Sequence, residues 1–183
     1  ATTAIATDRY GNIYIAGHTL SADFPIKDAF DSSYNGGIDF FVCKLNAEAD
    51  TVLVSTLIGG HSGDYARALA VDSQGNIWVT GVTQSTNFPT VSPFQPSLQG
   101  FNDAFLLKLS NDGDSILVST FFGGGGYEEG YDIVIDASQN VWLTGGTWGG
   151  IVVVNPIDGS YNGYSDIFLA QFDPQLSNLI FST

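Results

Sequence analysis

One twelve-residue stretch occurs three times at a fixed interval, and that interval limits the possible folds more than any other feature. Asp8-Arg9-Tyr10-Gly11-Asn12-Ile13-Tyr14-Ile15-Ala16-Gly17-His18-Thr19 recurs as Asp72-Ser73-Gln74-Gly75-Asn76-Ile77-Trp78-Val79-Thr80-Gly81-Val82-Thr83. It returns as Asp136-Ala137-Ser138-Gln139-Asn140-Val141-Trp142-Leu143-Thr144-Gly145-Gly146-Thr147. The copies open at residues 8, 72 and 136, a period of 64 residues. A period of this length marks repeated supersecondary units, each incomplete until it stacks on a neighbour.

Within a unit the pattern predicts four short strands. In the second unit these are residues 66–71, 76–82, 103–109 and 116–122, where aliphatic and aromatic residues are dense and turn residues bound each run. The Asp-x-x-Gly-Asn turn joins the first two strands, and Asn111-Asp112-Gly113-Asp114 joins the last two. A loop of about twenty residues, carrying Phe88-Pro89, separates the middle pair. The third unit lacks one residue and the Phe-Pro pair, and Val152 and Val153 are expected in their place. Both faces of the strands are apolar: Phe41 and Cys43 alternate with Phe40 and Val42. A sheet apolar on both faces is sandwiched between other sheets. The predicted architecture is all-β, a β-propeller segment of three four-stranded antiparallel blades at residues 1–64, 65–128 and 129–183. A β-sandwich does not account for the period, and a β-helix rung is far shorter.

Charge and composition narrow the functions. A net charge of −14 gives no basic footprint for nucleic acid and none for an anionic membrane. No apolar run is long enough to span a bilayer. A single cysteine excludes an intrachain disulfide. With 13% charged residues and no Met, the chain reads as a processed or excised secreted piece, extracellular or at the cell surface.

The repeated landmarks resemble the bacterial and archaeal β-propeller repeat family known as SBBP. They are Asp103-Ala104-Phe105-Leu106-Leu107-Lys108-Leu109, Ser119-Thr120-Phe121-Phe122-Gly123-Gly124, Val71-Asp72-Ser73-Gln74-Gly75-Asn76, Thr80-Gly81-Val82-Thr83 and Ser85-Thr86-Asn87-Phe88-Pro89-Thr90. The resemblance implies a propeller in secreted or surface proteins, with more repeats than are seen here, and implies no activity. Closed propellers carry about four to eight blades. Three blades therefore form an open arc, completed by another copy or by the rest of a longer chain. Two arcs related by a two-fold axis would make six blades.

Candidate ligand positions gather where long loops and blade-to-blade connections share a rim. Asp64 and Glu128 are equivalent, and with Glu129 they are candidate calcium ligands; the competing reading is that each acid caps a first strand. His61, Tyr65 and Tyr127 flank them. Tyr34-Asn35 and Tyr161-Asn162 could stack on and hydrogen-bond a glycan, or could simply form tight turns. Asp8, Asp72 and Asp136, with Asn12, Asn76 and Asn140, are assigned to turns because they recur in every unit, whereas a catalytic acid pair is needed only once. Asp39, Asp103 and Asp166 are assigned likewise. His18 and His61 have no zinc-binding partners, and Gly123–Gly126 lacks the Lys and Ser/Thr of a phosphate loop. The expected role is structural assembly or partner binding, with no cofactor beyond calcium. The alternatives are a lectin-like propeller and a propeller glycosidase or lyase using the rim acids Asp64, Glu128 and Glu129.

Overall fold

A computed structural model of the chain covers residues 1–183 and contains twelve strands and no helix. Blade 1 is β1 (Thr2–Thr7), β2 (Ile13–Thr19), β3 (Asp39–Leu45) and β4 (Val52–Ile58). Blade 2 is β5 (Asp64–Val71), β6 (Ile77–Thr83), β7 (Asp103–Leu109) and β8 (Ile116–Phe122). Blade 3 is β9 (Glu128–Ile135), β10 (Val141–Thr147), β11 (Asp166–Phe172) and β12 (Leu179–Ser182). Each blade is an antiparallel meander in chain order, and the three sheets do not hydrogen-bond into one. This is the propeller arrangement that the period and the two-faced strands require. Asp64 and Glu128 open β5 and β9, so each is the first residue of its blade's first strand.

The core lies between blades. One cluster joins Tyr14, Ala16, Phe40 and Val42 of blade 1 to Leu69, Val79, Phe105 and Leu107 of blade 2. A second joins Trp78, Leu106 and Phe122 of blade 2 to Ile133, Leu143, Phe168 and Phe172 of blade 3. The strands form because their β-branched and aromatic residues fill both faces of a pleated surface.

The repeated Asp is the knot of each β-hairpin. Asp72 Oδ1 accepts from the amides of Gln74 and Asn76, and Oδ2 accepts from Asn76 Nδ2, from Trp78 Nε1 and from Lys108 Nζ at 3.0 Å. Burial alone would raise its pKa, but the Asn76 bonds and Lys108 outweigh burial and hold it below the ordinary carboxylate value. Asp8 makes the same turn, with Tyr14 donating in place of Trp. Asp136 makes it with Trp142, but Gln171 stands where Lys108 stands and supplies no ion pair. The turn assignment of all three acids agrees with this bonding. Asp72→Asn is therefore expected to cost about 1.5–3 kcal/mol, the range for hydrogen bonds to a charged group. Asp136→Asn should cost less, and the gap in urea midpoints between the two variants measures the Lys108 pair.

The deletion in the third unit lies nearer its start than the sequence suggested. Ser119 Oγ donates to the carbonyl of Pro89, and Ser182 Oγ donates to that of Val152. Val152 thus stands for Pro89 and Ile151 for Phe88, so the missing residue falls between Thr147 and Ile151. This corrects the placement of Val152 and Val153 at the Phe-Pro position; both are largely exposed.

Candidate functional site

The long loops and the blade-to-blade connections do meet on one rim. A parallel bridge joins Ile38 to Gly63, and another joins Asn102 to Tyr127. Each brings the loop before a third strand against the turn that leads into the next blade. The amide of Asp64 donates to Ile38 O at 2.7 Å, and that of Glu128 to Asn102 O at 2.9 Å.

This pairing buries two pairs of carboxylates. Asp39 and Asp103, the first residues of β3 and β7, are fully buried, as are Asp64 and Glu128. A Cβ built on Gly59 would lie 2.4 Å from Asp39 Oδ1 and 3.0 Å from Asp64 Oδ2, so the two acids face each other across that glycine. The same construction on Gly123 lies 2.5 Å from Asp103 Oδ1 and 2.9 Å from Glu128 Oε2. Most of the oxygens are bonded. Asp64 accepts from Thr83 Oγ1, Gly60 N and Ser85 Oγ; Glu128 accepts from Thr147 Oγ1 and Gly124 N. Asp39 and Asp103 each accept on Oδ2, from the amides of Asn35 and Gln99. Their Oδ1 atoms are buried without a partner. An unpaired buried charge is costly, so such a group takes up a proton. Burial raises the pKa of all four acids. For Asp103, burial and the charge of Glu128 push it up to about 7.

The calcium candidates do not form one site. Asp64 and Glu128 sit at different blade junctions, and no group of three or more His, Cys, Asp or Glu converges anywhere. Calcium takes about six to eight oxygens. Each junction offers one free carboxylate oxygen, and both oxygens of the neighbouring acid already accept from protein donors. Glu129 points away and pairs with Arg67 at 3.2 Å, bridging blades 2 and 3. Burial and the neighbouring acid at each junction favour the protonated form of Asp39 and Asp103. Asp64 and Glu128 are closed to a sugar, because both are sealed from solvent. The sequence reading that placed Asp39 and Asp103 in ordinary turns missed this pairing. The recurrence of an acid at both members of the pair was the available signal.

The remaining rim positions divide. Tyr34 donates its hydroxyl to Gly37 O, and Tyr161 donates to Tyr164 O at 2.8 Å, so both tie their own loops. The amide of Asn162 donates to Asp166 Oδ2 at 2.8 Å, as that of Asn35 does to Asp39. His61 is exposed, with its amide and its Nδ1 against Asn87 Oδ1. Tyr65 packs edge-on against His18 at 5.1 Å. Tyr127 stacks on Phe101 with centroids 4.8 Å apart and planes 10° from parallel. Phe101 was not singled out from the sequence, since its register beside Tyr127 depends on the bridge between blades.

The family model described as SBBP, a beta-propeller repeat, matches residues 2–25 and 55–89. These two segments are similar to SBBP β-propeller repeats. Each SBBP match ends at a Phe-Pro pair, Phe24-Pro25 or Phe88-Pro89, and the third copy, with Ile151-Val152 there, lies outside both. No curated protein matches the chain. Among solved structures, a crystal structure of a GH43_12 retrieved from capybara gut metagenome is similar at 12% identity and a TM-score of 0.49. The similarity covers 98% of this chain and 30% of that one, so the chain spans less than a third of that structure's length.

Proposed function

We propose that the chain is an architectural segment of an extracellular or cell-surface β-propeller, supplying three consecutive blades and a rim that binds a partner. One observation carries the reading. The face that blade 2 buries against blade 3 is present again on blade 3 with nothing over it. Ala104 and Leu106 are 0% exposed, and their equivalents Ile167 and Leu169 are 85% and 37% exposed. At the other end Ile5 is 70% exposed, where its equivalents Leu69 and Ile133 are buried. Uncovered apolar faces of this kind mark interaction surfaces. The net charge of −14 supports a saline, extracellular setting.

The test is thermal unfolding of the chain with a second copy of residues 121–183 appended after Thr183. In repeat proteins each new interface adds stability. A single transition at a higher temperature than the 183-residue chain is expected. A separate transition for the added blade, with the original one unmoved, would overturn the reading.

A second reading, glycan binding at the rim, is favoured by the stacked Phe101 and Tyr127, which are 67% and 46% exposed. Such a platform suits the apolar face of a sugar ring. Glycan-array binding that survives Phe101→Ala with Tyr127→Ala would exclude this platform.

A further inference from the structure

We infer that the open groove on blade 3 is selective: it accepts the first strand of a further blade that begins acid-x-Gly, and it excludes a strand that begins as this chain's β1 does. The inference rests on the blade-accepting reading above and names the partner's chemistry.

The groove has a volume of about 510 Å³ and is lined by Thr144, Asp166, Ile167, Leu169 and Thr183 among others. The equivalent positions in blade 2 are Thr80, Asp103, Ala104, Leu106 and Thr120, all fully buried. In blade 1 they are Ala16, Asp39, Phe40, Val42 and Thr56, also fully buried. Part of the cover at each junction is the first strand of the next blade: β5 packs on β1, β2 and β3, and β9 packs on β5, β6 and β7. The two covering strands share a pattern. Asp64 and Glu128 meet the acid of the groove; Ala66 and Gly130 follow two residues later; Leu69 and Ile133 follow at the sixth position.

Blade 3 holds every element of this recognition except the partner. Asp166 takes the amide of Asn162 on Oδ2, as Asp39 takes that of Asn35, and no following strand brings it a counterpart of Asp64 or Glu128. The carbonyls of Ile38 and Asn102 accept from the incoming strands, whereas the equivalent carbonyl of Ser165 accepts nothing from this chain.

The size of the third residue sets the selectivity. A Cβ on Gly130 would lie 2.2 Å from Thr80 Oγ1, far inside contact distance. Thr80 is pinned in that position by its bond to Phe105 O at 2.7 Å. At the first junction the groove residue is the smaller Ala16, and there the incoming residue is Ala66. Thr144 bonds Phe168 O at 3.0 Å just as Thr80 bonds Phe105 O, so the blade 3 groove requires glycine. β1 presents Thr2 at this position, a register fixed by the carbonyls of Ala1, Tyr65 and Glu129, which approach Gly17, Gly81 and Gly145 identically. A second copy's β1 would drive a β-branched side chain onto Thr144, and overpacking of that kind is destabilising.

The test uses the extended chain just described, with Cys43→Ser and with Ile167→Cys as the only thiol, and follows the rate of thiol labelling. A tethered blade sees the groove at a high effective concentration, so labelling should slow by at least about tenfold relative to the unextended chain. G130A in the appended copy should restore fast labelling. T144A in the groove should then slow it again, recreating the Ala66-over-Ala16 pairing; this rescue excludes simple misfolding of the altered blade. Protection that persists with G130A alone, or a failure of T144A to rescue, would overturn the selectivity while leaving the blade-accepting reading intact. Fast labelling in every extended chain would overturn both.

Discussion

Replacing Phe88 with alanine costs about 3–5 kcal/mol, the usual range for deleting a fully packed aromatic side chain. Phe88 is the plug between blades 1 and 2. Its ring lies 4.9 Å from Phe105, 5.8 Å from Phe121 and 6.3 Å from Phe40, so it touches two blades at once. Its own loop holds it there, because its amide donates to Ser85 O and Ser85 Oγ is bonded to Asp64. Alanine would leave a cavity that the stacked Phe40 and Phe105 rings cannot close without leaving their own contacts. Phe24 is the equivalent residue of blade 1, and it packs on Phe41 at the uncovered end. Phe24→Ala is expected to cost less than half as much, about 1–2 kcal/mol, because only one side of the ring is covered. Urea titrations of the two variants check both values. Equal costs would mean that the inter-blade position of Phe88 adds nothing.

Stability falls as the pH rises from about 4 to about 7. In the folded chain Asp103 keeps its proton up to about pH 7; when unfolded it releases the proton near 3.8. Within that window the folded state holds more protons than the unfolded state, so raising the pH favours unfolding. Burial raises Asp39, Asp64 and Glu128 as well, and their contributions have the same sign. The turn acids Asp8, Asp72 and Asp136 have lowered values, so their stabilisation is lost only as the pH drops below the ordinary carboxylate range. They do not offset the loss above pH 4. At about 1.4 kcal/mol per pKa unit, Asp103 alone gives a loss on the order of 2–4 kcal/mol across the window. Asp103→Asn removes the proton requirement, so its stability should vary much less between pH 5 and pH 8. A wild-type unfolding midpoint that rises over this range would contradict the paired-acid geometry.

Much of the fold was legible in the sequence, and the reasons are local. The 64-residue period, the Asp-x-x-Gly-Asn turns and the two-faced strands each depend on residues close together in the chain. Strands β7 and β8 begin and end where the apolar runs do. What escaped the sequence depends on how one blade sits on the next. Asp39 and Asp103 look like strand-start turns until the following blade brings Asp64 or Glu128 against them. Phe101 gains its meaning only from Tyr127, which reaches it through the bridge between blades. The displaced deletion in the third loop could be fixed only by the hydrogen bonds from Ser119 and Ser182. The requirement for glycine opposite Thr80 likewise follows from a distance between blades.

The most direct measurement is the absolute mass of the unmodified chain in solution by light scattering, at micromolar concentration and on both sides of calcium chelation. An arc that stays open until a blade beginning acid-x-Gly is supplied predicts 19.4 kDa in both conditions, because β1 brings Thr2 to a groove that holds Thr144. A stable species of twice that mass would mean that two arcs close on each other through their outer faces, and it would contradict the selective groove. A doubled mass that fell back on chelation would in addition return calcium to the junction acids.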